Sequence, residues 1–205
     1  MSRARNLADY VSTGVTSAEL DQLDTTSGTP GSGNFLRGDK TWDAPAGGIT
    51  ETDQWKLTTT FPGTVTPIAS ALVRSNSPGF GLLGTGMTES SGIFTFPSTG
   101  YWKVGYTMGF QYNGDSKYNG GDIQVTINSG SGDTYAAAAS NWAFIQQTSS
   151  GTTYAATYME TIVDVTSVST VKVRFTTSVQ NSSAETLGNS SYTITGMQFI
   201  RLGDT

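Results

Sequence analysis

The sequence contains no histidine and no cysteine among its 205 residues. Ser-His-Asp triads, Cys-His pairs and histidine-ligated zinc sites are therefore excluded. Only carboxylates, hydroxyls, lysine and tyrosine remain for catalysis, so most enzyme classes are disfavoured and we expect a protein that is not an enzyme. Without cystine, stability must come from burial and association.

Charge is scarce as well. Charged residues make up 13% of the chain, about half the usual fraction, and the net charge is −5. A nucleic-acid-binding protein would carry a basic patch, so no nucleic-acid partner is expected. No run approaches the roughly 18 apolar residues that cross a bilayer, so no membrane insertion is expected either. The aromatic content of 11%, with Val and Ile spaced among Thr, indicates β-structure.

Composition divides the chain into three parts. Residues 1–24 have the pattern of short helices, with a capping box in the TSAE stretch at 16–19. Helices of this length are unstable alone in water, so we expect them to dock on a partner. Their apolar docking positions are Leu7, Val11, Leu20 and Leu23. Residues 25–48 form a Gly/Ser/Pro-rich linker that contains the motif FLRGDKTW, and residues 49–205 form the main domain.

The main domain shows a period of two. Between Tyr101 and Tyr112 every even position is apolar or aromatic, which predicts a long strand with one fully buried face. Shorter alternating runs occur at 123–127, 171–175 and 192–195, separated by Asn/Gly/Ser turn signals. Eight to ten such strands without a helical pattern predict an antiparallel sandwich.

Three segments of this domain resemble the C1q/TNF-like jelly-roll family. Residues 92–104, GIFTFPSTGYWKV, are similar to its central signature, in which an aromatic pair opens a long strand. Residues 193–200, TITGMQFI, resemble its closing strand, and residues 161–173 its penultimate hairpin. The expected fold class is thus all-β, a C1q/TNF-like antiparallel jelly-roll sandwich with a short, partly helical N-terminal extension.

The same resemblance implies a homotrimer, since members of that family are trimers. The strand that opens at residue 101 has more apolar surface than one small sandwich face needs, so part of it is expected at the three-fold interface. The interface candidates are Tyr101, Trp102, Tyr106 and Phe199.

The N-terminal parts resemble segments of tailed-bacteriophage fibres. Residues 15–24, VTSAELDQLD, are similar to VT-x-x-EL-x-x-LD segments of marine phage fibres, and FLRGDKTW is similar to a FLRGDGTW linker upstream of distal fibre domains. Lys40 stands where that linker usually has a second glycine. The resemblance explains the letters RGD as part of a packing turn that returns Trp42 onto Phe35 or Leu36, rather than as an adhesion tripeptide.

Exposed aromatic residues are the strongest signal for binding. Tyr112, Tyr118 and Tyr135 stand in or next to polar loops, where their rings would stack on sugars; Trp142 has a similar setting. We expect the contacting loops, 113–121, 129–135 and 181–190, to lie at the end distal to the N-terminus. Packing at strand ends is the alternative for each ring.

Carboxylates offer two weaker alternatives. Glu160 and Asp164 lie on one side of a predicted strand roughly 13 Å apart, which is too far for a glycosidase pair. Asp115, Asp122 and Asp133 flank Gly/Asn-rich loops and would suit Ca²⁺, although turn chemistry explains them as well. No cofactor is therefore expected, with Ca²⁺ as the open alternative.

The expected function is that of a virion structural protein: a trimeric phage fibre whose N-terminus docks on other virion proteins and whose head contacts a host surface glycan or protein. Two alternatives stay open. One is a passive trimerising cap or a capsid or collar decoration protein, and the other is a carbohydrate depolymerase.

Overall fold

The structure is a computed structural model that describes residues 34–36, 41–43 and 48–205. Within these ranges all regular structure is β-strand. The strands are β1 (Phe35–Leu36), β2 (Trp42–Asp43), β3 (Thr52–Leu57), β4 (Phe61–Pro62), β5 (Leu72–Arg74), β6 (Thr88–Ser90), β7 (Ile93–Thr95), β8 (Gly100–Tyr112), β9 (Ser116–Thr126), β10 (Ala136–Ile145), β11 (Thr153–Val165), β12 (Lys172–Phe175), β13 (Ser178–Val179), β14 (Glu185–Thr186) and β15 (Gly196–Gly203).

Two antiparallel sheets form the unit that spans Ile49–Thr205. The seven-stranded sheet has the order β4-β14-β8-β15-β3-β5, with β11 paired to β8 as its edge. The six-stranded sheet has the order β10-β9-β12-β7-β6, with β13 also paired to β9. Neighbouring strands within a sheet are thus often far apart in sequence, as in a jelly roll, and the predicted all-β sandwich is confirmed.

The long strand β8 follows its sequence pattern. Trp102, Val104, Tyr106, Met108 and Phe110 are all fully buried. Successive side chains of a strand point to opposite faces, so these five line the interior of the sandwich. The sheet-forming alternation therefore also supplies the largest part of the core.

Aromatic rings from both sheets meet at the centre of that core. Phe94 of the six-stranded sheet lies 5.3 Å from Phe199 of the seven-stranded sheet and 5.5 Å from Phe175, measured between ring centroids. Phe96 lies 5.4 Å from Trp102. These separations are typical of edge-to-face and offset ring contacts, which add to the stabilisation from burial.

Two short alternating runs differ from the prediction. β9 ends at Thr126, so Ile127 lies beyond the sheet and is exposed. Residues 192–195 are not a strand, because the side chain of Asn189 accepts hydrogen bonds from the backbone N–H groups of Ser191 and Tyr192 at 2.8 and 3.2 Å. This turn bends the chain, and the closing strand begins only at Gly196.

Two short strands form at the ends of the linker motif. β1 and β2 pair antiparallel, with Phe35 opposite Asp43 and Leu36 opposite Trp42. This register brings Trp42 back beside Leu36, while the side chains of Phe35 and Leu36 stay largely exposed. Packing of Trp42 onto them stays a prediction.

The predicted docking positions lie outside the described residues. They are Leu7, Val11, Leu20 and Leu23. The helices expected at 1–24 belong to the same undescribed stretch. Within the described ranges there is no helix with the length and apolar character needed to cross a membrane.

Candidate functional site

The sandwich has two ends, which the strand register defines. The proximal end carries Thr52 near the start of the domain, together with Gly100, Val165 and Gly203. The distal end carries Tyr112, opposite Thr153. The 13 residues of β8 separate the two ends by roughly 40 Å.

A polar cleft of about 390 Å³ opens at the distal end. We call it the distal cleft, and its lining residues are Gln111, Tyr112, Asn113, Thr152, Ser183 and Glu185. Glu185 lies across from Gln111 in the sheet and accepts a 2.5 Å hydrogen bond from its amide. The hydroxyl of Tyr112 accepts a 2.5 Å hydrogen bond from the side-chain amide of Asn181.

Hydrogen bonds hold the loops around the distal cleft. The Gln147 amide donates to the side-chain oxygen of Asn113 and, at 2.6 Å, to the carbonyl of Gly151. The backbone N–H of Gln147 donates to Asp115 at 2.7 Å. The cleft thus combines an aromatic wall with amides, hydroxyls and one carboxylate from β8, β14 and the adjoining loops, a composition suited to binding polar ligands.

A second cleft, of about 400 Å³, lies on the outer face of the six-stranded sheet. We call it the aromatic cleft, and Tyr118, Trp142 and Ser178 line it. Tyr118 is close to the distal end, because its carbonyl accepts a hydrogen bond from the backbone of Gln180, next to the Asn181 that holds Tyr112.

The three tyrosines predicted to contact a host do not lie together. Tyr112 lines the distal cleft and Tyr118 lines the aromatic cleft. Tyr135 lies toward the proximal end, because β9 runs from the distal to the proximal end and the loop at 129–135 follows it. The expectation that this loop is distal is therefore wrong. The Arg174 guanidinium lies 4.1 Å from the Tyr135 ring centroid, which gives this ring a packing role. Burial, and then the charge of Asp133, raise the pKa of Tyr135.

Three of the four predicted interface residues lie inside the protomer. Trp102, Tyr106 and Phe199 are fully buried in the core, where no neighbouring chain can reach them while the sandwich is folded, so their assignment to the interface is wrong. The Tyr106 hydroxyl donates to the Thr176 carbonyl at 3.2 Å, and burial, followed by the charge of Asp122, raises its pKa. Only Tyr101 is exposed, and its contact with a partner stays a prediction.

Sequence reasoning missed an apolar surface on β11. Tyr154, Tyr158 and Ile162 point outward from the seven-stranded sheet, with 67%, 44% and 63% of their surfaces exposed. We call this the β11 face. Its signal was present in the sequence, because Tyr154, Tyr158 and Ile162 alternate with the inward-facing Ala155, Met159 and Val163. An edge strand whose outer face carries such side chains indicates a surface made for contact.

The β11 face contains one charged cluster. Lys103 and Glu160 form an ion pair at 2.7 Å, and the Tyr158 hydroxyl donates to Glu160 at 2.6 Å. Lys103 first, and then Tyr158, lower the pKa of Glu160, and the hydrogen bond to Glu160 raises the pKa of Tyr158 to about 12. Glu160 is therefore committed to this cluster, while Asp164 lies four residues along the strand opposite Tyr101.

The three aspartates considered for Ca²⁺ lie apart and accept local hydrogen bonds. Asp115 accepts from Gln147, Asp122 from Ser140 at 2.6 Å, and Asp133 from the backbone of Gly130. Across the described part of the chain there is no cluster of three or more metal-ligating acidic side chains.

Comparison with known proteins shows the fold. The TNF protein Eiger from S. frugiperda matches 77% of this chain and 95% of its own, with a TM-score of 0.52 and 11% identity. Murine APRIL at pH 5.0 matches 74% of this chain and 98% of its own, with a TM-score of 0.51 and 10% identity. No protein-family model and no curated protein sequence matches the chain. The domain at 49–205 thus has the TNF-like jelly-roll fold.

Proposed function

We propose that the chain is a virion protein of a tailed bacteriophage, a homotrimeric fibre whose N-terminal segment docks on the particle and whose head contacts the host surface. The observation that carries the proposal is the order of the parts. A TNF-like jelly roll follows the FLRGDKTW motif, whose ends carry the paired strands β1 and β2, and both this motif and the VTSAELDQLD segment before it resemble phage fibre sequences.

The β11 face supports the trimer. Tyr154, Tyr158 and Ile162 form an outward apolar row, and Tyr101 lies on the adjacent strand of the same face. Fully burying one such side chain contributes about 1.5–3 kcal/mol, so contact with neighbouring copies stabilises an assembly. The homotrimer is part of the proposal because two TNF-family structures share this fold.

The distal cleft supports host contact. It lies at the end of the sandwich opposite the start of the domain at Ile49, and its amides, hydroxyls and carboxylate suit a polar surface. Three weak sites held by one trimer would act together through effective concentration. No enzymatic step and no cofactor form part of the proposal.

A passive trimerising cap is the second candidate, because the β11 face alone would account for trimer formation. Single substitutions at the two ends distinguish the candidates. We expect Tyr112→Ala to reduce adsorption of particles to host cells, and Tyr135→Ala, the matched control at the proximal end, to leave it unchanged. Equal adsorption of both variants would favour the cap.

Deletion of residues 2–33 tests docking. The shortened chain should remain a folded trimer in native mass spectrometry and should be absent from purified particles. If the shortened chain is still incorporated, the N-terminal segment does not dock the protein.

A further inference from the structure

The aromatic cleft has a floor without a side chain. Gly120 of β9 pairs with Trp142 of β10 on one side and with Ser178 of β13 on the other. A Cβ at Gly120 would lie 2.0 Å from the backbone oxygen of Asn141 and 2.5 Å from Cδ1 of Trp142, so only glycine fits here and the indole packs against it. The strands of Trp142 and Ser178 flank β9 on opposite sides, so these two residues border the cleft across Gly120.

Polar groups complete the cleft. The ring of Tyr118 lies two residues from Gly120 along β9, and Asp122 lies two residues away in the other direction. Asp122 accepts hydrogen bonds from the Ser140 hydroxyl at 2.6 Å, the Gln124 amide at 3.3 Å and the Thr176 hydroxyl at 3.4 Å, which leaves its carboxylate room for about one more donor. The Ser178 hydroxyl forms part of the lining. The exposed indole thus shares the cleft with a phenol and a hydroxyl, and a carboxylate lies two residues from Gly120 along β9.

From this arrangement we infer that the aromatic cleft binds a hexopyranose unit of a neutral glycan, with one face of the sugar stacked on Trp142 and its hydroxyls bonded to Ser178 and Asp122. One face of a pyranose presents C–H groups, which the negative face of an indole attracts. The carboxylate of Asp122 and the net charge of −5 disfavour an anionic sugar. The inference rests on the proposed function, to which it adds a second host contact besides the distal cleft and the chemistry of its ligand.

Phe144 provides a matched control for Trp142. It lies two residues further along β10 and is 71% exposed, against 52% for Trp142, but it does not line the aromatic cleft. Removal of either ring therefore takes an exposed aromatic group from the same strand. Only the loss of Trp142 removes the wall of the cleft.

Saturation-transfer NMR on the full chain tests the inference. The probes are the methyl glycosides of glucose, galactose, mannose and N-acetylglucosamine at millimolar concentration, where weak single-site binding is detectable. We expect transfer from the protein to the C–H protons of at least one glycoside. The signal should fall at least fivefold in Trp142→Ala and Ser178→Ala, persist in part in Trp142→Phe, and remain unchanged in Phe144→Ala.

Three results would overturn the inference: no transfer to any of the four glycosides, transfer that survives Trp142→Ala, or a change of oligomeric state in Trp142→Ala. The last would mean that a neighbouring copy covers the cleft. Failure of the fibre proposal has a separate readout, because the protein would then be absent from purified particles whatever the sugar result. Particles that carry Trp142→Ala and adsorb normally would refute only the glycan site.

Discussion

Asp53 is the carboxylate on which the start of the domain depends most. Its side chain is fully buried and accepts hydrogen bonds from the backbone of Gln54 at 2.8 Å, the indole of Trp55 at 2.9 Å and the backbone of Met87 at 2.8 Å. Arg74 pairs with it at 3.0 Å and also donates to the Met87 carbonyl at 2.7 Å. One carboxylate thus joins β3, β5 and the segment before β6.

The substitution Asp53→Asn keeps the shape and removes one acceptor and the charge. If the amide oxygen keeps the bonds from Trp55 and Met87, the new NH₂ group faces the N–H groups of Gln54 and Arg74, donor against donor. Each lost charge-assisted bond costs about 1.5–3 kcal/mol. Arg74 is 37% exposed and regains some hydration, so we expect the free energy of unfolding to fall by about 3 kcal/mol, the lower bound for two lost bonds.

Thermal unfolding at one fixed chain concentration measures this loss. For a chain of this size about 3 kcal/mol lowers Tm by roughly 6–12 °C. Asp204→Asn is the control, because Asp204 is paired with Arg201 but 90% exposed, and exposed pairs contribute about 0–1 kcal/mol. A Tm for Asp53→Asn within 2 °C of the control would refute the argument that this buried acceptor network stabilises the head.

Two further predictions concern titration. Burial raises the pKa of Tyr106, so the neutral hydroxyl contributes to the free energy of unfolding below the ordinary tyrosine pKa near 10, and this contribution is lost as pH rises above that value. The free energy of unfolding measured with guanidinium should therefore depend less steeply on alkaline pH in Tyr106→Phe than in the parent. The hydrogen bond to Glu160 raises the pKa of Tyr158 to about 12, so absorbance titration of Glu160→Gln should show one tyrosine that ionises earlier, and an unchanged titration would contradict the bond.

The sequence predicted the sandwich because burial acts on every second residue of a strand. In β8 all five even positions from Trp102 to Phe110 are buried, and their spacing alone indicates that one face of the strand is shielded from water. The spacing does not indicate whether the second sheet of the same chain or a neighbouring chain covers that face. The second sheet and a neighbouring chain both exclude water, so the spacing is equally compatible with Trp102 and Tyr106 at an interface, whereas the chain's own six-stranded sheet covers them.

The clefts were less accessible to sequence reasoning, because they depend on register. Tyr118 and Trp142 were recognised as aromatic residues near polar loops, but nothing in their spacing places Gly120 between Trp142 and Ser178. Strand direction also explains why Tyr135 lies at the proximal end. An antiparallel strand of 11 residues carries the chain to the opposite end, so loops with similar composition lie at different ends.

The β11 face and the aromatic cleft lie on different sheets, and Ile162→Glu separates their roles. Ile162 points outward from the seven-stranded sheet opposite Lys103 and is 63% exposed, so a glutamate there stays hydrated, shares Lys103 with Glu160, and the fold tolerates it. In a trimer built on the β11 face the same carboxylate would be buried against a neighbouring copy, at a cost of several kcal/mol. We therefore expect folded monomers in native mass spectrometry. Ile127→Glu, at an exposed position beyond β9, should remain a trimer.

The monomeric variant also shows how binding is divided between the surfaces. Because Trp142 belongs to the six-stranded sheet, saturation transfer per chain from a methyl glycoside should equal that of the parent. Adsorption to host cells should nevertheless fall by roughly 10²–10⁴, because three linked sites gain that factor from effective concentration. A variant that stays trimeric would show that the β11 face is not the interface. A monomer that no longer binds the sugar would show that the cleft is completed by a neighbouring chain.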